Sequence, residues 1–247
     1  MKLPSWRLRL YRDACHSCWN TLDKSPMSTV CLDSEILTLP ASGCDLETFR
    51  RWAQSDESPD HAPVFYLAGE VWIDMSKEQF FSHNRIKTEF TRVLGTIAKK
   101  KRLGSYCSDG MLLSNAEADL SGNPDGIFVA NSSFRSGKVQ LVEGADSGFV
   151  EMEGSPDMVL EVVSDSSEAK DFEILRELYW KAGVREYWLV DARGERLEFD
   201  ILRRTSRGYS ATSKTGGWMK STVFGQSFRL TRRPDELGHP EFTLKTR

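Results

Sequence analysis

The feature that most constrains this 247-residue chain is the run Met158-Val-Leu-Glu-Val-Val163, apolar throughout except for Glu161. A short apolar run introduced by Pro156-Asp157 and closed by Ser164 reads as a strand buried within a sheet. An ionised carboxylate is costly to desolvate there unless a cation compensates it. A second acid, Asp125, follows Pro124 and precedes the apolar stretch 127–129, so its carboxylate is expected at a strand start beside the sheet. Taken singly, Asp125 reads as a turn residue after proline and Glu161 as a strand-end or salt-bridged residue. Taken together they suit one divalent cation, because carboxylates, backbone oxygens and waters are the ligand set of Mg2+, with Mn2+ as its alternative. Such an ion polarises a phosphodiester and helps to generate hydroxide, which makes phosphodiester hydrolysis the natural reaction.

The surrounding pattern supplies the fold class. A short helix is expected over 45–54, with Asp45 as N-cap and Leu46, Phe49 and Trp52 on one side, followed by a loop over 55–63. Strands over 64–67 and 71–75 flank Ala68-Gly69-Glu70 as a hairpin. From 77 to about 101 the positions Phe80, Ile86, Phe90, Val93, Leu94 and Ile97 recur at helical spacing. Strands are expected over 105–113, 126–129 and 158–163, and then a helix over 166–182 that buries Ile174, Leu175, Leu178 and Tyr179. Two further strands surround the turn 191–194, and short strands near Tyr209 and over 218–224 extend the domain. This order predicts an α/β protein with a mixed β-sheet flanked by helices. Residues 1–27 read as a poorly ordered leader or misassigned start, 28–63 as an N-terminal helix and loop, 64–233 as the main domain, and 234–247 as a loose tail.

Composition bounds the class. Hydrophobic residues at 39% and charged residues at 28% are globular values, and no stretch approaches the length of apolar chain that a membrane helix needs. A cytoplasmic location and no membrane partner are expected. Five cysteines without regular spacing fit reduced thiols. Cys15-His-Ser-Cys18 resembles half a zinc site, but no second pair of suitable spacing follows. Net charge is -3, yet residues 192–247 hold twelve Lys and Arg against six Asp and Glu, so this segment is +6 and the remainder -9. An acidic centre with a basic flank suits a metal-dependent enzyme acting on a polyanion, although a solvated surface gives the same imbalance.

Asn123-Pro-Asp125, Pro156-Asp-Met-Val-Leu-Glu-Val-Val-Ser164, Leu178-Tyr179 and Ala182-Gly-Val-Arg-Glu-Tyr-Trp-Leu-Val-Asp191 together resemble the Uma2 family (DUF820), over about residues 65–191. The resemblance implies a PD-(D/E)XK restriction endonuclease-like core: a four-stranded mixed sheet flanked by helices, with a divalent metal held by Asp125 and Glu161. His83, in Ser82-His-Asn-Arg-Ile86, also matches a recurring family histidine; judged alone, a helical His is a hydrogen-bonded structural residue or an accessory to the site.

The pattern departs at its third element. The nuclease signature places Lys two residues after the second acid, where Val163 stands here, and the family's alternative lysine on the next helix falls at Leu175. Lys170 is the nearest remaining ammonium, but five residues on a regular helix leave it about 140° past a full turn from Leu175. Its stem then points elsewhere unless the helix begins late. Arg176 adjoins the vacant position and is a poor proton acceptor. The leading expectation is therefore a Mg2+- or Mn2+-dependent DNA endonuclease with catalytic Asp125, Glu161 and Lys170. The rival is an inactive nuclease fold that binds nucleic acid or a partner, and a third reading is a hydrolase of another phosphoester. A homodimer would suit two-strand cutting, though no interface is legible. Trp180, Tyr187 and Trp188 could stack on bases, but at their spacing they read as core.

Overall fold

The computed structural model describes residues 27–32, 35–40, 44–58, 63–74, 77–109, 111–144 and 148–247. Residues 1–26, with the Cys15–Cys18 motif, lie outside them. A six-stranded mixed sheet forms the centre, in the order Gly208–Ala211, Glu198–Thr205, Glu186–Asp191, Met158–Val162, Gly126–Ala130, Gly104–Ser108. Met158–Val162 runs parallel to Glu186–Asp191 and antiparallel to Gly126–Ala130, with Val159 opposite Ile127 and Leu160 opposite Gly126. The sheet is thus two strands wider than the resemblance implies.

Both faces of this sheet are covered, which is why its central strand is almost wholly apolar. On one face Val159, Val163, Ile127, Val129 and Tyr187 pack with Leu175, Leu178 and Tyr179 of the helix Leu175–Lys181. A second six-stranded sheet contributes Phe65, Leu113, Leu120 and Met152 to the same cluster. On the other face Met158, Leu160, Val162, Phe128 and Trp188 meet Ile86, Phe90 and Leu94 of the helix Arg85–Lys100. Tyr187 and Trp188 are fully buried, so they are core residues. Each large apolar side chain so buried contributes about 1.5–3 kcal/mol relative to exposure.

Three expectations change in detail. Residues 28–63 hold more than a helix and loop, since Met27–Leu32 pairs antiparallel with Glu35–Pro40. The strand expected over 105–113 is two strands: Gly104–Ser108 lies at the edge of the central sheet, and Leu112–Asn115 belongs to the second sheet. Asp109, between them, holds a φ of 33°, a left-handed conformation that Asp tolerates better than most residues. The tail is also not loose. Pro240–Thr246 pairs antiparallel with Ser227–Pro234, and Phe242 and Leu244, two residues apart, enter the core on one side. Leu244 additionally donates its N–H to Glu89 Oε1 at 2.9 Å, which ties the strand to the long helix.

The short helix Leu46–Ala53 starts as expected, with Asp45 Oδ1 accepting from Thr48 N–H at 2.8 Å and Phe49 and Trp52 buried. Arg50 anchors it by donating to Glu151, which is fully buried, and to Glu153. Both helices that flank the sheet's acid end open with a π-helical turn: Phe80–Asn84 leads into Arg85–Lys100, and Lys170–Ile174 leads into Leu175–Lys181. Cys44 and Cys107 are free thiols.

Candidate active site

The strand register brings the two acids together. The ladder's last rung is Leu160–Gly126, and its register continued by one residue would set Asp125, in the bend before the strand, across from Glu161. Residues directly opposite in an antiparallel ladder share a face, and period-two alternation makes this the face of Val159 and Ile127. Both carboxylates line a cleft of about 630 Å³, together with Asp74, His83, Lys87, Lys170 and Asp171.

Their environments differ. Asp125 Oδ2 accepts the Val162 N–H at 2.7 Å and lies 3.5 Å from His83 Nε2, while Oδ1 lies 3.6 Å from Lys87 Nζ. Burial pushes its pKa up, but these cations and the backbone donor more than offset that and hold it below the ordinary range. His83 responds in kind: burial disfavours its charge, yet Asp125 and Glu78, the latter at 3.0 Å, raise its pKa to about 9. Lys87 also reaches Glu78 and Asp109, each at 3.1 Å.

Glu161 has the opposite balance. It is 2% exposed, and its Oε1 accepts a 2.6 Å hydrogen bond from the Tyr179 hydroxyl. Burial pushes its carboxyl well above the usual carboxylate range; Lys170 opposes this, while the neighbouring charges of Asp125 and Asp171 add to it. A cation brought against the carboxyl would favour its ionised form. Among the described residues no three His, Cys, Asp or Glu side chains converge into a metal cage. Two carboxylates with the remaining positions left to waters and phosphate oxygens is the habit of Mg2+, so this all-oxygen donor set fits it.

Lys170 reaches this cleft by a route that the regular-helix argument excludes. In the π turn the Leu175 N–H bonds to the Lys170 carbonyl, an i to i+5 bond, so the two residues lie one turn apart instead of 140° out of phase. The ammonium sits 2.9 Å from Asp171 Oδ1 and 4.0 Å from the centroid of the Phe65 ring, with the residue only 6% exposed. Burial opposes its charge, but Asp171 and Glu161 raise its pKa further above the ordinary value. Asp171 in turn accepts from the Ser167 hydroxyl. Arg176 turns away and donates to the Tyr209 carbonyl at 3.3 Å. Val163 and Leu175 are core residues.

Lys87, Glu78, Asp109 and Asp171 also line the cleft and carry no motif that marks them in the sequence. Lys87 follows His83 by four residues, a same-face spacing that could have flagged it. Asp171 adjoins Lys170 but carries no pattern of its own, and Glu78 and Asp109 come from separate connecting segments.

The chain matches the model of the Uma2 family, described as "Putative restriction endonuclease", over residues 46–231. Among solved structures it is similar to a putative nuclease belonging to DUF820 from Anabaena variabilis, with a TM-score of 0.55 and 14% identity, covering 74% of this chain and 91% of that one. At that identity the likeness is one of fold. No curated protein matches the chain. No helix among the described residues is long and apolar enough to cross a membrane.

Proposed function

Since the chain belongs to the Uma2 family of restriction endonuclease-like proteins, we propose that it is a Mg2+- or Mn2+-dependent endonuclease that hydrolyses DNA phosphodiester bonds. The observation that carries this reading is the meeting of Asp125, Glu161 and the Lys170 ammonium in one cleft at the carboxyl end of the strand Met158–Val162.

Asp125 and Glu161 would hold the cation, which when bound polarises the scissile phosphate and acidifies a water. The chain's own groups do the rest. His83, Lys87 and the Val162 N–H keep Asp125 ionised and fixed, so it needs no reorganisation to act as a ligand. Tyr179 fixes one Glu161 oxygen and leaves the other for the ion. Lys170, held protonated, is an orienting positive charge for water and phosphate and not a proton acceptor.

The test is cleavage of supercoiled plasmid in Mg2+ or Mn2+ by the wild type, Asp125→Ala and Glu161→Ala. Activity that survives both substitutions sinks the assignment of the site. One observation favours the rival reading of a non-cleaving nucleic-acid-binding module: Lys170 is already paired with Asp171 and covered by Phe65. Retention of DNA in a gel-shift assay with no cleavage in either metal would select that alternative.

A further inference from the structure

At the other end of the central sheet lies a second depression, of about 510 Å³, which shares no residue with the acid cleft. It opens at the amino ends of the strands Met158–Val162 and Glu186–Asp191, so roughly five residues of strand, or about 15 Å, separate it from Glu161. Five cations line it: Lys138, Lys181, Arg185, Arg203 and Arg204, against one lining acid, Glu117. Arg185 is engaged by Asp157 at 3.1 Å and Lys181 by Glu177 at 2.7 Å. Among the described residues no carboxylate lies within ion-pair distance of Lys138, Arg203 or Arg204.

Two of these unmatched groups are already positioned. Arg203 donates its Nε to Thr212 Oγ1 at 3.2 Å, and Arg204 donates its Nε to the Trp180 carbonyl at 2.8 Å with its guanidinium 5.3 Å from the Trp180 ring centroid. Each is held at Nε, which leaves the Nη groups to face a ligand, and a fixed guanidinium fork loses little entropy on binding a phosphate. Partial desolvation lowers the pKa of the exposed Lys138, and although Asp157 opposes this, Arg185 and Arg204 lower it further. The cluster is therefore self-repelling, and an anion would relieve it.

We propose that this depression is a binding site for a phosphate group, distinct from the acid cleft and carried by Lys138, Arg203 and Arg204. The volume admits a nucleotide-sized ligand. A phosphate ester can come from a polynucleotide backbone or from a small phosphorylated solute, and the chemistry of the pocket is the same for both.

Titration calorimetry with inorganic pyrophosphate, in EDTA and low salt, tests this without reference to cleavage. The wild type is expected to show one saturable site whose affinity falls as NaCl rises. Lys138→Gln/Arg203→Gln should bind about tenfold more weakly, a loss of about 1.4 kcal/mol. Arg229→Gln/Lys245→Gln, which removes the same charge from the C-terminal strands, should bind as the wild type does. Lys138→Gln alone removes an exposed side chain and guards against a folding defect in the double variant. Absence of saturable binding, or equal losses in the two double variants, overturns the proposal. Displacement of pyrophosphate by a short single-stranded oligonucleotide assigns the backbone source, and displacement by ATP alone assigns a small solute. If neither displaces it, the site does not recognise phosphate esters and the assignment fails.

Discussion

Lys170→Met is the substitution whose consequence the structure fixes most closely. Methionine keeps an unbranched apolar side chain and deletes the ammonium, which sits 2.9 Å from Asp171 Oδ1 and over the Phe65 ring. What remains is Asp171 at 1% exposure and Glu161 at 2%, both with pKa values raised first by burial, with Asp125 adding to both and Asp171 to Glu161, and now without their neighbouring cation. Removing one partner of a buried ion pair costs about 3–5 kcal/mol, because the survivor stays buried and uncompensated. At about 2–4 °C per kcal/mol for a domain of this size, the melting temperature should fall by roughly 6–20 °C. The pH dependence gives a second signature. Burial already raises both carboxyl pKa values in the fold, and loss of Lys170 raises them more, so the native state binds more protons than the unfolded chain above about pH 4. Stability of the variant must then fall as pH rises, and much of the deficit at pH 7 should disappear near pH 5. Lys170→Met/Asp171→Asn should recover most of it at pH 7. Urea denaturation of the three proteins at pH 5 and 7 makes the measurement. A loss below about 1 kcal/mol at pH 7, or a loss independent of pH, refutes the picture of Lys170 as the cation of a buried acid cluster.

The remaining predictions follow from neighbouring contacts. His83, with a pKa of about 9 in the fold against about 6.5 when unfolded, contributes stability that is complete below pH 6.5 and lost as pH rises through 9; His83→Gln should flatten the stability profile between those values in denaturant melts. Arg50→Met should cost about 3 kcal/mol by removing the charged partner of the fully buried Glu151 and leaving it the Gln54 amide as a side-chain donor, read as a lower urea midpoint with unchanged slope. Gly126→Ala should cost about 1–3 kcal/mol, since a Cβ there overlaps the Tyr106 hydroxyl and crowds Leu160, and it should weaken Mn2+ binding by displacing the adjacent Asp125.

The two acids were legible because each stands out locally: Glu161 breaks an apolar strand, and Asp125 follows a proline at the start of another. The helix over 85–100 was legible from its 3.6-residue period. What stayed hidden depends on hydrogen-bond geometry or on distant partners. A π turn inserts one residue into a helical repeat without altering its composition, so a regular 3.6-residue repeat sets Lys170 out of phase with Leu175 and the i to i+5 bond restores the phase. The split of 105–113 between two sheets turns on the backbone at Asp109, and Glu78 joins His83 and Lys87 only through the tertiary fold. The strand Pro240–Thr246 did carry a period-two signal in Phe242 and Leu244, outweighed by its terminal position and charged surroundings.

Mn2+ binding followed by electron paramagnetic resonance tests most directly whether Asp125 and Glu161 jointly hold one divalent cation. Wild type, Asp125→Asn and Glu161→Gln would be titrated at pH 7.5, the amides preserving side-chain shape and, for Glu161, the acceptor for Tyr179. One bound ion in the wild type and loss of that ion in each variant is the predicted result. Binding of the same ion with unchanged affinity by either variant would contradict the account.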